Sequence, residues 1–127
     1  MNQDTSWTTE QSEELYQIKS WGDGYFGINE QGQLVVQPDG YASGVEISLL
    51  EVIEEIKTHK LDLPVVIRFH DILRSRVQNL NTIFRDTMAR LNYQGLYKGV
   101  YPIKVNQMRE VVEEIVDAGQ AYAFGLE

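Results

Sequence analysis

Three side chains in the second half of the chain could take part in chemistry: Lys104, His70 and Glu127. Lys104 lies near the C-terminal end of residues 99 to 105, the most apolar stretch of that half. A lysine inside a buried strand is costly unless its charge is paired or lost, and a desolvated lysine is a usable Schiff-base nucleophile. The alternative is structural: the amine reaches from the end of the strand into water.

His70 and Glu127 are weaker candidates than Lys104. His70 follows the apolar segment 63–69, and no second ligand or partner is spaced with it, so a loop or cap-adjacent histidine is the expected role. Glu127 would stand at the end of a further strand, at the same face of the sheet as Lys104 and His70. Arg74, Arg85 and Arg90 indicate a solvated helix face. The chain contains no HExxH, GxSxG or P-loop pattern.

Alternating strands and helices must position these residues. Short apolar runs at 63–69, 99–105 and 122–126 predict strands, the first two of them buried. Between them, an apolar stripe from Leu73 to Leu91 predicts a helix capped by Asp71 and ended by Gly95, and a second stripe predicts a helix ended by Gly119. This β-α-β-α-β order indicates a parallel sheet, either doubly wound or part of a (β/α)₈ barrel.

The first half of the chain predicts a different, β-rich organisation. Residues 24–29 and 33–37 predict a hairpin whose connection ends in Gly32 at positive φ. Ser48 and Glu51 fit a capping box that opens a helix of roughly three turns. Residues 1–12 lack periodicity and are interpreted as a mobile tail, residues 13–45 as an N-terminal β segment and residues 46–127 as the start of the α/β part.

Composition excludes several classes of protein. The 127 residues carry 11 basic and 19 acidic side chains, a net charge of −8, which makes nucleic acid a poor partner. The absence of cysteine excludes disulfides, thiolate zinc sites and a cysteine nucleophile. No apolar run is long enough to cross a membrane and no secretory signal is evident, so a cytoplasmic protein without a membrane partner is expected.

Chain length bears on the choice of fold. A complete barrel needs roughly 250 residues, so this chain would hold about three of its strands. The last of them would be left as an apolar edge, which natural domains avoid. The chain is therefore expected to be the front part of a longer protein.

Four segments, in order, resemble the biosynthetic arginine decarboxylases, pyridoxal-phosphate enzymes of the alanine-racemase-like barrel class. YPIKVNQ at 101–107 resembles the family's lysine motif. SWGDGYFGIN at 20–29 is similar to its N-terminal β segment, LPVVIRFHDIL at 63–73 to its first barrel strand, and AGQAYAFGLE at 118–127 to its third. The resemblance runs from about Ser12 to Glu127 and implies an N-terminal fragment of a pyridoxal-phosphate-binding (β/α)₈ TIM barrel.

The resemblance assigns roles to two of the candidate residues. Lys104 would bind pyridoxal 5'-phosphate as a Schiff base and act in catalysis, and Glu127 would lie near the lysine and the cofactor. The implied reaction is decarboxylation of L-arginine to agmatine and CO₂ in polyamine biosynthesis, by a homo-oligomer of the full-length protein. Mg²⁺ is implied as well, although no residue here can be named as its ligand. The 127-residue chain alone is expected to be inactive.

Two other interpretations stay open. One is another barrel-type decarboxylase, acting on a different basic amino acid or on diaminopimelate; the segment around Trp21 to Phe26 favours arginine, because the shorter relatives are not expected to carry it. The other is a non-catalytic α/β interaction module, in which Lys104 is a structural lysine at the end of a strand.

Overall fold

The computed structural model of the chain describes residues 6–40 and 44–127. They divide into two compact units, and the boundary between the units along the chain lies between Ile67 and Arg68. The sequence placed the boundary after residue 45. The structure adds the next segment to the first unit instead, because a strand there pairs with the hairpin and the following helix packs on it.

The first unit opens with two short helices, α1 (Thr9–Leu15) and α2 (Ile18–Gly22). Thr8 caps α1 in a reciprocal capping box: its side chain accepts from the amide of Gln11, whose side chain accepts from the amide of Thr8. The sequence interpretation of residues 1–12 as a tail missed this box, because a glutamine in the third helical position is a weak signal. Residues 1–5 lie outside the described residues.

Three strands form the antiparallel sheet of the first unit, in the order β1 (Phe26–Ile28), β2 (Leu34–Val36) and β3 (Ile47–Ser48). β1 pairs with β2 in the register Phe26 to Val36 and Ile28 to Leu34. The turn between them contains Gly32 at φ +76°, a conformation that favours glycine, so the predicted hairpin is confirmed.

Helix α3 (Leu49–Thr58) follows directly from β3. Ser48 occupies the N-cap position, as predicted, but its side chain makes no capping hydrogen bond. The predicted capping box is therefore wrong. Ser48 is also the last residue of β3, where its backbone pairs with Val35 and its side chain is buried in the sheet, so the hydroxyl is not directed at the helix amides.

Residues 63–69 do not form the predicted buried strand. Val66 is 75% exposed and Leu63 is 64% exposed, and the segment pairs with none of the strands among the described residues. A strand is stabilised by hydrogen bonds to a neighbour and by burial of its side chains, and this segment has neither. An apolar sequence gives the tendency to form a strand but does not supply the partner.

Residues 68 to 127 form the second unit, in which two helices pack together and two strands run parallel. Helix α4 (His70–Arg90) leads to β4 (Val100–Tyr101), and α5 (Arg109–Gly119) leads to β5 (Gly125–Leu126). β4 and β5 pair in parallel, so the predicted β-α-β connection is confirmed over this interval. Its core contains Val77, Val111, Ile115 and Ala118.

Both ends of α4 differ from the prediction. The helix begins at His70 with Phe69 as the N-cap residue, so Asp71 does not cap it but lies in its first turn, where a carboxylate favours the helix dipole. It ends at Arg90 and not, as was predicted, near Gly95. Asn92 adopts the left-handed conformation, at φ +50°, and this conformation ends the helix. Asparagine can adopt the left-handed backbone conformation as well as glycine, so either residue can end a helix in this way.

The predicted strand over residues 99–105 is much shorter than expected. After β4 the chain turns at Pro102 into a short 3₁₀ helix, Ile103–Val105, whose last residue is 71% exposed. The Val105 amide donates to the Pro102 carbonyl, which closes that turn. Alternation of side chains along the strand therefore ends at Tyr101, before Pro102 and Lys104.

The described residues thus contain one three-stranded antiparallel sheet and one parallel strand pair, which confirms the α/β class. They do not close into a barrel, and the (β/α)₈ barrel stays a prediction. Among these residues we find no helix with the length and hydrophobicity that a membrane crossing requires.

Candidate active site

Lys104 lies in the middle of the 3₁₀ helix that follows β4. Its side chain is exposed and makes no hydrogen bond or ion pair with any described residue. Lys104 is therefore not inside a buried strand. The strand ends before it, and the amine extends into solvent from the carboxyl end of a parallel strand, as in the structural alternative that the sequence left open. Loops at that end of parallel strands are where α/β proteins build their sites.

Glu127 lies beside the same turn, because β4 and β5 run parallel and end together. The hydrogen bonds of the ladder continue past both strands: the Glu127 amide donates to the Tyr101 carbonyl at 3.0 Å, and the Ile103 amide donates to the backbone oxygen of Glu127 at 2.9 Å. The structure thus places the backbone of Glu127 against Ile103, the residue before Lys104. The Glu127 side chain is exposed.

Two further hydrogen bonds hold the segment that carries Lys104. The Tyr101 hydroxyl donates to the backbone carbonyl of Asn106 at 3.2 Å, and the Asn106 side chain accepts from the Met108 amide at 3.0 Å, at the start of α5. The Tyr101 ring packs against the core between α4 and α5. The turn is therefore fastened to strands on one side and to a helix start on the other.

His70 is the first residue of α4, which agrees with the expected cap-adjacent position, and it has a partner that the sequence did not show. Its Nδ1 is 3.8 Å from Oε2 of Glu114 on α5, and Nη2 of Arg74 is 2.5 Å from Oε1 of the same carboxylate. The Glu114 side chain is 17% exposed. Arg74 is consequently an ion-pair partner between two helices, and its interpretation as part of a solvated face is wrong.

Arg85 and Arg90 are both exposed, as predicted. Arg85 has contacts that the sequence did not show. Its guanidinium donates to the Ala121 carbonyl at 3.2 Å and lies 4.6 Å from the centre of the Tyr122 ring. Both contacts join α4 to the turn that precedes β5.

Metal-binding side chains do not come together in the part of the chain described here. No group of three or more histidine, aspartate or glutamate residues in that part is placed to hold a metal ion. The Mg²⁺ implied by the resemblance therefore has no fitting donor set among these residues.

Sequence reasoning missed Glu114, Asn106 and the structural role of Arg85. Glu114 lies on the polar side of a helical stripe and is separated from Arg74 by forty residues in the chain. No local pattern predicts such a contact, since it depends on how two helices pack. Asn106 did carry a usable signal, because an asparagine side chain commonly accepts from the backbone amide two residues on, here that of Met108, the residue before α5.

Comparison with known proteins gives close matches over nearly the whole chain. The biosynthetic arginine decarboxylase of Gloeobacter violaceus is 48% identical over 121 residues, which are 95% of this chain and 19% of that protein. The one from Thermosynechococcus vestitus is 46% identical, over 97% of this chain and 19% of the relative. Biosynthetic arginine decarboxylase 2 of Synechocystis is 46% identical, over 96% and 18%. No protein-family model matches the chain.

These matches confirm the resemblance seen in the four segments. They also show that the chain spans about a fifth of the length of the curated relatives it matches. Over 95% of its length, the chain is therefore a homologue of one part of the biosynthetic arginine decarboxylases.

Proposed function

We propose that the full-length protein catalyses the decarboxylation of L-arginine to agmatine and CO₂ in polyamine biosynthesis, with pyridoxal phosphate bound to Lys104. The observation that carries the reaction class is the 41–48% identity to proteins named biosynthetic arginine decarboxylase, over 95% of this chain. The geometry of the Lys104 turn supports the choice of residue.

Lys104 fits the role of a cofactor lysine on the contacts of this structure. A primary amine must be free to condense with the aldehyde of pyridoxal phosphate, and the Lys104 amine has no hydrogen bond or ion pair among the described residues. It also projects from the carboxyl end of a parallel strand pair, where a ligand can reach it. We place only this covalent contact on the chain.

The bound cofactor would supply an electron sink for the electron pair left when the α-carboxylate departs as CO₂. The protein's own part at this turn is to present the Lys104 amine at a fixed place. Once released from the cofactor, that amine would return a proton to the α-carbon or bind the cofactor again, which would displace agmatine. The backbone of Glu127 lies beside the turn, and we propose that its carboxylate lies near the Lys104 amine and the cofactor.

Two further features complete the proposal: homo-oligomeric assembly, which rests on the resemblance, and cytoplasmic location, which was expected from the sequence. For Mg²⁺ the described residues offer no fitting group, so we propose no metal step for this chain.

The proposal is tested by supplying the purified full-length protein with pyridoxal phosphate and each of four substrates. We expect CO₂ and agmatine from L-arginine, and much slower release of CO₂ from L-ornithine, L-lysine or meso-diaminopimelate. Faster turnover of one of the other three would favour the alternative decarboxylase. Absence of CO₂ from every substrate, with cofactor present, would favour the non-catalytic interaction module.

A further inference from the structure

The hydroxyl of Tyr101 spans the turn that carries Lys104. Tyr101 is the last residue of β4, and its hydroxyl reaches forward to the Asn106 carbonyl at 3.2 Å. Lys104 lies between these two residues in sequence. The bond therefore closes a loop of the chain around the lysine, and the loop continues into α5 through the Asn106 side chain and the Met108 amide.

Packing alone does not account for the tyrosine. The aromatic ring packs against the cluster of Val77, Val111, Ile115 and Ala118, where phenylalanine would fill the same space. The hydroxyl adds a part-buried hydrogen bond to the Asn106 carbonyl of the turn. The Tyr101 hydroxyl is therefore explained by the Asn106 carbonyl that it binds and by the turn that this bond closes.

We propose that Tyr101 and Asn106 are positioning residues, which fix the 3₁₀ turn so that the backbone of Lys104 is held in one place for its amine to reach an aldehyde-bearing cofactor. The inference rests on the proposed function of Lys104. Its physical reason is that the amine has no side-chain partner among the described residues, so its location depends on the backbone that carries it. Preorganisation of a reacting group lowers the entropy lost when it reacts.

The test uses the full-length protein and variants that remove one hydrogen bond each. Tyr101→Phe deletes the hydroxyl and keeps the ring in the core. Tyr97→Phe is the matched control, because Tyr97 stacks on Phe84 and its hydroxyl makes no hydrogen bond to a described residue. Asn106→Ala removes the acceptor for the Met108 amide, whereas Asn106→Asp keeps an oxygen there and should restore the wild-type behaviour.

The first readout needs no cofactor. Hydrogen exchange of the Val105 and Met108 amides should be faster in Tyr101→Phe and Asn106→Ala by roughly fivefold, the factor that one net hydrogen bond corresponds to. Exchange within α5 should be unchanged beyond its first turn. If both amides exchange at the wild-type rate in both variants, the positioning inference is wrong, whatever the cofactor does.

A second readout follows the cofactor itself. Pyridoxal phosphate is added, the bond to lysine is trapped by borohydride, and labelling of Lys104 is compared by mass spectrometry with labelling of Lys98, another exposed lysine. We expect preferential labelling of Lys104 in the wild type, loss of that preference in Tyr101→Phe and Asn106→Ala, and its retention in Tyr97→Phe and Asn106→Asp.

The two possible failures are distinguishable. Preferential labelling of Lys104 that survives in Tyr101→Phe and Asn106→Ala would overturn the inference and leave the proposed function standing. Equal labelling of Lys104 and Lys98 in the wild-type protein would contradict the proposed function, and with it the role of Tyr101 and Asn106 toward a cofactor.

Discussion

The amide of Ile103 donates a hydrogen bond of 2.9 Å to the backbone oxygen of Glu127, although the two residues belong to segments that follow different strands. This bond extends the parallel pairing of β4 and β5 into the turn that contains Lys104. The turn that contains Lys104 and the residue after β5 are therefore one structural unit, and a substitution in either is expected to alter the conformation of the other.

Lys104 gives the most direct prediction. In the full-length protein, Lys104→Ala and Lys104→Arg should both remove the absorbance of lysine-bound pyridoxal phosphate and nearly all CO₂ release from L-arginine. Arginine retains the charge, but its guanidinium cannot form the Schiff base. Lys98→Ala, which removes a nearby exposed lysine, should leave both unchanged. Wild-type activity in either Lys104 variant would show that another residue binds the cofactor.

Gly99 is expected to tolerate no side chain. A Cβ there would overlap the ring of Phe124, which also lies against Gly119. Gly99→Ala should therefore lower the free energy of unfolding by roughly 2 kcal/mol, through overpacking. Gly27→Ala is the control, because its Cβ would meet Val35 at an ordinary 3.8 Å. Thermal denaturation of the two variants of the full-length protein checks the difference, and equal melting temperatures would contradict it.

Glu114 should stabilise the packing of α4 against α5. Glu114→Gln leaves a neutral group facing Arg74 and His70, in a place where the carboxylate is largely buried, and should cost about 1 kcal/mol of unfolding free energy. Glu113→Gln changes the same charge on the same helix, but its ion pair with Arg109 is exposed, so the expected loss is much smaller. Denaturant titrations of the full-length protein that rank the two variants the other way would refute the assignment.

Arg85 is predicted to fasten α4 to the turn before β5. Arg85→Met removes both the hydrogen bond to the Ala121 carbonyl and the contact with the Tyr122 ring, for an expected cost of about 1 kcal/mol. The matched change Arg90→Met, at an exposed position of the same helix, should be close to neutral. The measurement is the unfolding free energy of each variant of the full-length protein, and an equal effect at the two positions would argue against a stabilising role for both contacts of Arg85.

The 127-residue chain by itself should be prone to aggregation. Large apolar side chains stand in solvent in both units, among them Val66 at 75% and Leu96 at 90% exposure. Surfaces of this kind normally mark contacts with other protein. We expect strong binding of a hydrophobic dye and no sharp thermal transition. Cooperative unfolding of a soluble monomer without dye binding would contradict the prediction.

The sequence alone was sufficient wherever a local pattern decided the structure. Gly32 set the hairpin turn, the apolar stripe through Val111 and Ile115 set α5, and the βαβ order set the parallel pairing of β4 with β5. The resemblance of four short segments was confirmed by the relatives that match nearly the whole chain. These features depend on neighbouring residues or on sequence identity, which a single chain displays directly.

Tertiary structure decided what depends on a partner distant in sequence. Residues 63–69 have the composition of a buried strand but gain no neighbour to pair with, and Val66 is left exposed. Lys104 reaches solvent because the strand ends at Tyr101, and Glu127 reaches its turn because two strands end together. Glu114 meets Arg74 because two helices pack. Local propensity cannot specify such contacts, since each depends on the free energy of bringing separate segments together.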